Sequence, residues 1–195
     1  MTAENGKAVF VYGDESSCEE ICLHFARNGG KVGFVCRSDA SASRLKDSIG
    51  PTGAQAVASV AERPGAEELS RAVIAVAEAF GGIDLLVFAR RKPDAALGTL
   101  LLDLDESDWN GAMDEARAFF LICKYALPYL MNGENSGVVV IDGNGADATQ
   151  SLPDLASGKA LEAAAGRIAD ELSGYGVSVS YERIPDGEIS RALPA

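Results

Sequence analysis

Lys7-Ala8-Val9-Phe10-Val11-Tyr12-Gly13-Asp14-Glu15-Ser16-Ser17-Cys18-Glu19 is the stretch on which the fold turns. Residues 7–12 form a short apolar run with β-branched and aromatic side chains, the pattern of a buried strand. A glycine and an acidic turn follow. Apolar residues then fall at Cys18, Ile21, Cys22 and Phe25, one face of a helix over 17–28. Asn28-Gly29-Gly30 stops that helix. A buried strand feeding a helix through a tight turn is the first half of a βαβ unit.

The same alternation continues outward from this segment. Strands are expected over 31–36, 54–60, 85–89, 137–141 and 177–181. Helices are expected over 40–49, 64–80, 107–131 and 155–172. Ser107 is the expected N-cap of the long helix, and Asn132-Gly133 follow its end. Its core and interface residues are expected to include Met113, Ala116, Phe120, Cys123 and Leu127. Residues 185–195 read as irregular. Strands alternating with helices predict an α/β fold: a doubly wound, Rossmann-like parallel sheet with helices on both faces. No linker or low-complexity stretch divides the chain, so 1–195 reads as a single domain. The longest connections, 90–106 and 143–154, leave the carboxyl ends of strands, where ligands bind in such sheets.

The chain carries a formal net charge of −12. That balance argues against nucleic acid and against an anionic membrane surface. No apolar run approaches a membrane span. Met1 to Lys7 lacks the plan of a signal peptide, so a cytoplasmic location is expected. Cys18, Cys22, Cys36 and Cys123 show no disulfide-framework spacing and suit a reducing compartment. Cys18 and Cys22 share a helix face near His24, but a metal needs more convergent ligands. They read as small apolar filler.

Three framework segments carry a resemblance: Ala79-Phe80-Gly81-Gly82-Ile83-Asp84-Leu85-Leu86-Val87, Phe120 to Leu130, and Ala156-Ser157-Gly158-Lys159-Ala160-Leu161. Together they resemble the short-chain dehydrogenase/reductase family over nearly the whole chain. The family's functional motifs are eroded. Its Thr-Gly-x-x-x-Gly-x-Gly turn is matched only at Gly13; Ser17 and Glu19 replace the later glycines. Asp14, Glu15, Glu19 and Glu20 crowd the helix N-terminus, where a dinucleotide pyrophosphate would sit. The Asn-Asn-Ala-Gly after strand four aligns with Phe88-Ala89-Arg90-Arg91. The adenine-contacting acidic position aligns with Ser59 and the structural asparagine with Glu115. The catalytic serine falls near Asp142 or Gly143. In Tyr-x-x-x-Lys, Leu155 stands for the tyrosine and Lys159 for the lysine. Arg37, after strand two, resembles the arginine that meets a 2′-phosphate in such folds.

Ile184-Pro185-Asp186-Gly187-Glu188-Ile189 resembles the turn that opens the family's substrate lid, so a C-terminally shortened version of the fold is expected. The resemblance then implies a chain that is no enzyme by itself and binds no cofactor or metal. It would be a non-catalytic subunit completing a heterodimer or heterotetramer with a homologous NAD(P)-dependent subunit. Two-subunit members of the family acting on a hydroxyacyl-CoA, such as 2-(hydroxybenzyl)succinyl-CoA, supply the precedent. Phe120, Ala156, Ala160, Ala163, Ala164 and Ile168 would form the contact. Two other readings stay open. Arg90, Arg91 and Lys92 could hold an anion in a stand-alone binding or regulatory protein, or pair internally, for instance with Asp14 or Glu15. Asp142, Glu115 and Lys159 could serve an enzyme of altered chemistry.

Overall fold

β1 (Ala8–Tyr12) is the central strand of a six-stranded sheet. The computed structural model describes residues 6–62, 64–90, 100–133, 135–143, 151–184 and 189–194. Around β1 lie β2 (Lys31–Cys36), β3 (Ala56–Val60), β4 (Leu85–Arg90), β5 (Gly137–Asp142) and β6 (Ser178–Arg183). Their order is β3-β2-β1-β4-β5-β6 and every pairing is parallel. The strand order reverses between β2 and β4, on either side of β1. The carboxyl ends there border a natural crevice.

Successive strand residues serve opposite faces. Val9 and Val11 join the layer formed with α1 (Glu15–Arg27) and α2 (Asp39–Ile49). Phe10 joins the layer formed with α3 (Ala66–Phe80), α4 (Glu106–Leu130) and α5 (Leu152–Leu172). β4 and β5 are buried along their whole length, which is why they read as unbroken apolar runs. β2 and α3 meet closely at Gly33, where a Cβ would overlap the Val76 methyl groups.

Several element boundaries differ from the sequence reading. α1 begins at Glu15, because the Asp14 side chain accepts the Ser17 N–H. α3 begins at Ala66, after a Gly65 N-cap. α4 is capped by Asp105 rather than Ser107. The Asp105 carboxylate accepts the N–H groups of Ser107 and Asp108, and Asp108 returns a bond to the Asp105 N–H. α5 starts three residues earlier than expected, with Ser151 as its cap and Pro153 in its first turn. The tail read as irregular contains a short helix, α6 (Ile189–Ala192). All four cysteines are buried. Among the described residues no three His, Cys, Asp or Glu side chains converge as metal ligands. No described helix is long and apolar enough to cross a membrane.

Candidate functional site

The β1–α1 turn is built around one close approach. A Cβ on Gly13 would stand 2.9 Å from both the Cβ and the carbonyl oxygen of Ala89, so the turn passes over the end of β4 only as glycine. Asp14 Oδ1 then accepts the Ser17 N–H at 2.8 Å and the Ser16 hydroxyl at 2.9 Å. Glu15 turns toward α2, accepting the Ser41 hydroxyl and pairing with Arg44 at 2.9 Å. The Ser41 and Arg44 bonds hold its carboxyl below the usual range. Glu19 accepts the Ser48 hydroxyl at 3.3 Å. Asp14, Glu15 and Glu19 therefore accept protein donors and tie the start of α1 to itself or to α2.

A cavity of about 1010 Å3 opens beside this turn at the carboxyl ends of β1 to β4. Tyr12, Asp14, Arg37 and Phe88 line it from the strand ends, and Glu115 and Arg117 from α4. Tyr12 stacks on Phe88 with centroids 5.3 Å apart, and Phe88 meets Phe119 edge-on at 5.2 Å. Burial, then the Glu115 carboxylate, pushes the Tyr12 phenol up to about 12. Ser59 is the residue aligned with the family's adenine-contacting acidic position. It lies inside β3, paired with Val35. The acidic side chain that follows β3 into the cavity is Glu62.

A second cluster lies beyond, where β4 and β5 end. Arg90 is 3% exposed and Asp142 2%. Arg90 Nη1 donates to Asp142 Oδ1 at 3.2 Å, and Arg90 Nε lies 3.6 Å from Glu115 Oε2. Arg90 Nη2 donates to the Asp154 carbonyl in the first turn of α5. The Tyr181 hydroxyl donates to Asp142 Oδ2 at 2.5 Å, and Arg183 Nε stands 4.0 Å from the same oxygen. Burial and the bond to Asp142 raise the Tyr181 phenol well above its ordinary value. A Cβ on Gly158 would come within 2.8 Å of Arg90 Nη1. The glycine before Lys159 thus makes room for a guanidinium. Arg90 is an interior ion-pair member, not a surface anion contact, and its partners are Asp142 and Glu115 rather than Asp14 or Glu15. Arg91 and Lys92 lie outside the described residues, as do Pro185 to Glu188. Tyr181 went unnoticed in the sequence because nothing marks one β6 residue as the partner of a β5 carboxylate.

The structure does not bring Leu155 and Lys159 into this cluster. Leu155 is 49% exposed. Lys159 is also exposed and pairs with Glu162 at 2.8 Å, a carboxylate that Arg183 reaches from β6 at 3.3 Å. Of the expected contact residues, Phe120 is exposed. Ala156, Ala160, Ala164 and Ile168 are only half exposed. Ala164 and Ile168 pack on the chain's own core. Their small or compact side chains serve the α4–α5 contact within the chain first. Leu152 and Leu155 are further outward apolar residues of α5.

A family model described as enoyl-(acyl carrier protein) reductase matches residues 13–180. The chain belongs to the short-chain dehydrogenase/reductase family. Solved short-chain dehydrogenases share its fold. A dehydrogenase/reductase from Sinorhizobium meliloti 1021 is 24% identical with a TM-score of 0.76, over 91% of this chain and 71% of that one. A short-chain dehydrogenase from Burkholderia cenocepacia J2315, solved in complex with NADP, is 26% identical with a TM-score of 0.76, over 92% and 74%. A short-chain type dehydrogenase/reductase from Mycobacterium marinum is 17% identical with a TM-score of 0.78, over 91% and 73%. No curated protein matches the chain. Membership corrects one expectation, that the chain is no enzyme by itself. The matched family is one of reductases and these neighbours are dehydrogenases or reductases, which points to an enzyme.

Proposed function

We propose that the chain is a subunit of an NAD(P)-dependent oxidoreductase, assembled as a heterodimer or heterotetramer with a homologous short-chain dehydrogenase subunit. The observation that carries this reading is the outward apolar side of α4 and α5. Phe120 is 57% exposed, Leu152 48% and Leu155 49%. None of these three belongs to either core cluster, so about half of their apolar area stays in water. Exposed Ala163 and Gly166 on α5 leave room for a second helix to approach closely.

The first turn does not fit a dinucleotide pyrophosphate held in the family manner. The Ser17 N–H that would face the phosphate already bonds Asp14, whose carboxylate lines the cavity. On this reading the partner's glycine-rich turn supplies an NAD(P) site of the assembly, and a site in this chain is what the titration below tests. No side chain of the described cleft selects a hydroxyacyl-CoA, so the proposal stops at the reaction class.

Co-expression with a homologous dehydrogenase encoded beside this chain, followed by native mass spectrometry, tests the assembly. A stable complex lost on Phe120→Asp with Leu155→Asp is the expected result. A complex untouched by both changes would place the contact elsewhere. Calorimetric titration of NADPH into the isolated chain tests the cofactor reading, with no micromolar binding expected. Micromolar binding would make this chain's own cavity a dinucleotide site.

A further inference from the structure

A second apolar surface lies on the approach to α4, whose Ser107, Asn110 and Gly111 line the crevice. The 3-10 turn Leu101–Asp103 and the residue before it present Leu100, Leu101 and Leu102 at 66%, 70% and 94% exposure. Trp109, in the opening turns of α4, is 43% exposed. None of the four belongs to either core cluster. Single apolar residues scattered over a surface need no explanation, but four large ones in so short a stretch form a patch.

The rim of the patch has one sign. Asp103, Asp105, Glu106 and Asp108 are interleaved with the leucines and the tryptophan. No Lys or Arg occurs between Leu100 and Ala116. Asp105 and Asp108 are fixed in place by their reciprocal bonds at the helix start, so this negative edge is rigid. A second copy of the chain would bring the same rim and another −12 of net charge. An anionic lipid surface would be repelled in the same way. A protein surface that is apolar at its centre and basic at its edge satisfies both features.

We infer that the Leu100–Leu102 and Trp109 patch docks a protein partner whose contacting surface is apolar and edged with Lys or Arg, and that it does not pair with its own copy. This gives the partner of the proposed assembly its chemistry, and rests on that reading for the existence of a partner.

The probe is a designed amphipathic helical peptide of Leu and Lys, with a Leu/Glu peptide of the same pattern as control. Binding to the full chain is followed by fluorescence anisotropy at several salt concentrations. The full chain should bind the Leu/Lys peptide, lose affinity as salt rises, and ignore the Leu/Glu peptide. Leu100→Ser, Leu101→Ser and Leu102→Ser together keep every charge and touch no core residue. They should weaken binding at least tenfold. Asp103→Lys with Glu106→Lys should weaken it to a similar degree. Unchanged binding by the triple-serine variant overturns the inference, since the acidic surface alone would then account for the affinity. Concentration-dependent dimers abolished by the serine variant would overturn it as well, and so would equal binding to phosphatidylcholine vesicles. Phe120 and Leu155 are untouched in all these variants. Failure here therefore leaves the α4–α5 contact standing, and failure there leaves this patch standing.

Discussion

Arg90 and Asp142 end neighbouring strands as a register pair, with a guanidinium nitrogen 3.2 Å from a carboxylate oxygen and both side chains almost fully buried. Two opposite charges inside a sheet protein stabilise it only while both are present. Asp142 →Asn should cost about 3–5 kcal/mol, because the Arg90 cation loses its only buried carboxylate partner among the described residues. Arg90→Met combined with Asp142→Leu should recover most of that loss, since it removes both charges. Urea unfolding of Asp142→Leu, Arg90→Met and their double variant measures this. Additive losses in the double would contradict the coupling.

Stability should fall steeply in alkali. Burial holds the Cys18, Cys22 and Cys123 thiols above the ordinary 9.0, Cys123 at about 12. The folded chain therefore keeps protons that the unfolded chain releases. The contribution is complete below pH 9 and is lost as pH rises toward the folded values. Each thiol adds a slope of about 1.4 kcal/mol per pH unit in that window. Tyr12 adds to it above its ordinary value of 10.0. Urea midpoints at pH 8, 10 and 11 check the trend. A flat profile would mean that the thiols are not buried as described.

Gly33→Ala should destabilise the chain by about 1–3 kcal/mol, because its Cβ meets the Val76 side chain across the β2–α3 contact. Val76→Ala in the same chain should return part of the loss. Thermal melting of the single and double variants decides between steric crowding and a backbone effect. No rescue would favour the backbone.

Lys159→Ala should change stability by no more than about 0.5 kcal/mol, because its pair with Glu162 is exposed and local. A loss above ~1.5 kcal/mol in chemical unfolding would show that this lysine holds α5 in place.

The alternation of strands and helices was legible because buried parallel strands leave contiguous apolar runs, as Leu85 to Ala89 and Val138 to Ile141 do. The reading failed where a residue's role depends on strand register. Arg90, Asp142 and Arg183 are the last residues of β4, β5 and β6, and the sheet aligns them side by side. In sequence they are far apart, so internal pairing of Arg90 could be anticipated but its partners, Asp142 and Glu115, could not be named. The end of β3 was read at residue 60, where the structure has it, but nothing in the turn beyond it marks Glu62 as a residue of the cavity wall. Asp105 and Ser107 are both good caps, and only the side-chain bonds decide for Asp105. That Ala164 and Ile168 also pack on the chain's own core was not legible, because a helix rich in small residues offers little contrast between its two sides.

The central position of β1 governs the order in which the chain can be finished. The Ala8 N–H donates to the Asp84 carboxylate at 2.8 Å, across 76 residues of sequence, and Val9 aligns with Leu85 in β4. During synthesis β1 and β2 can pair early, yet the other edge of β1 stays open until β4 has left the ribosome. Contacts between such distant parts of the chain form slowly, because loop closure comes before any gain. The nascent N-terminal half thus carries an apolar strand with one bare edge for the time needed to make some fifty further residues. That interval is when a ribosome-bound chaperone would have most to protect, and when a chain stalled before Leu85 would be most prone to aggregate.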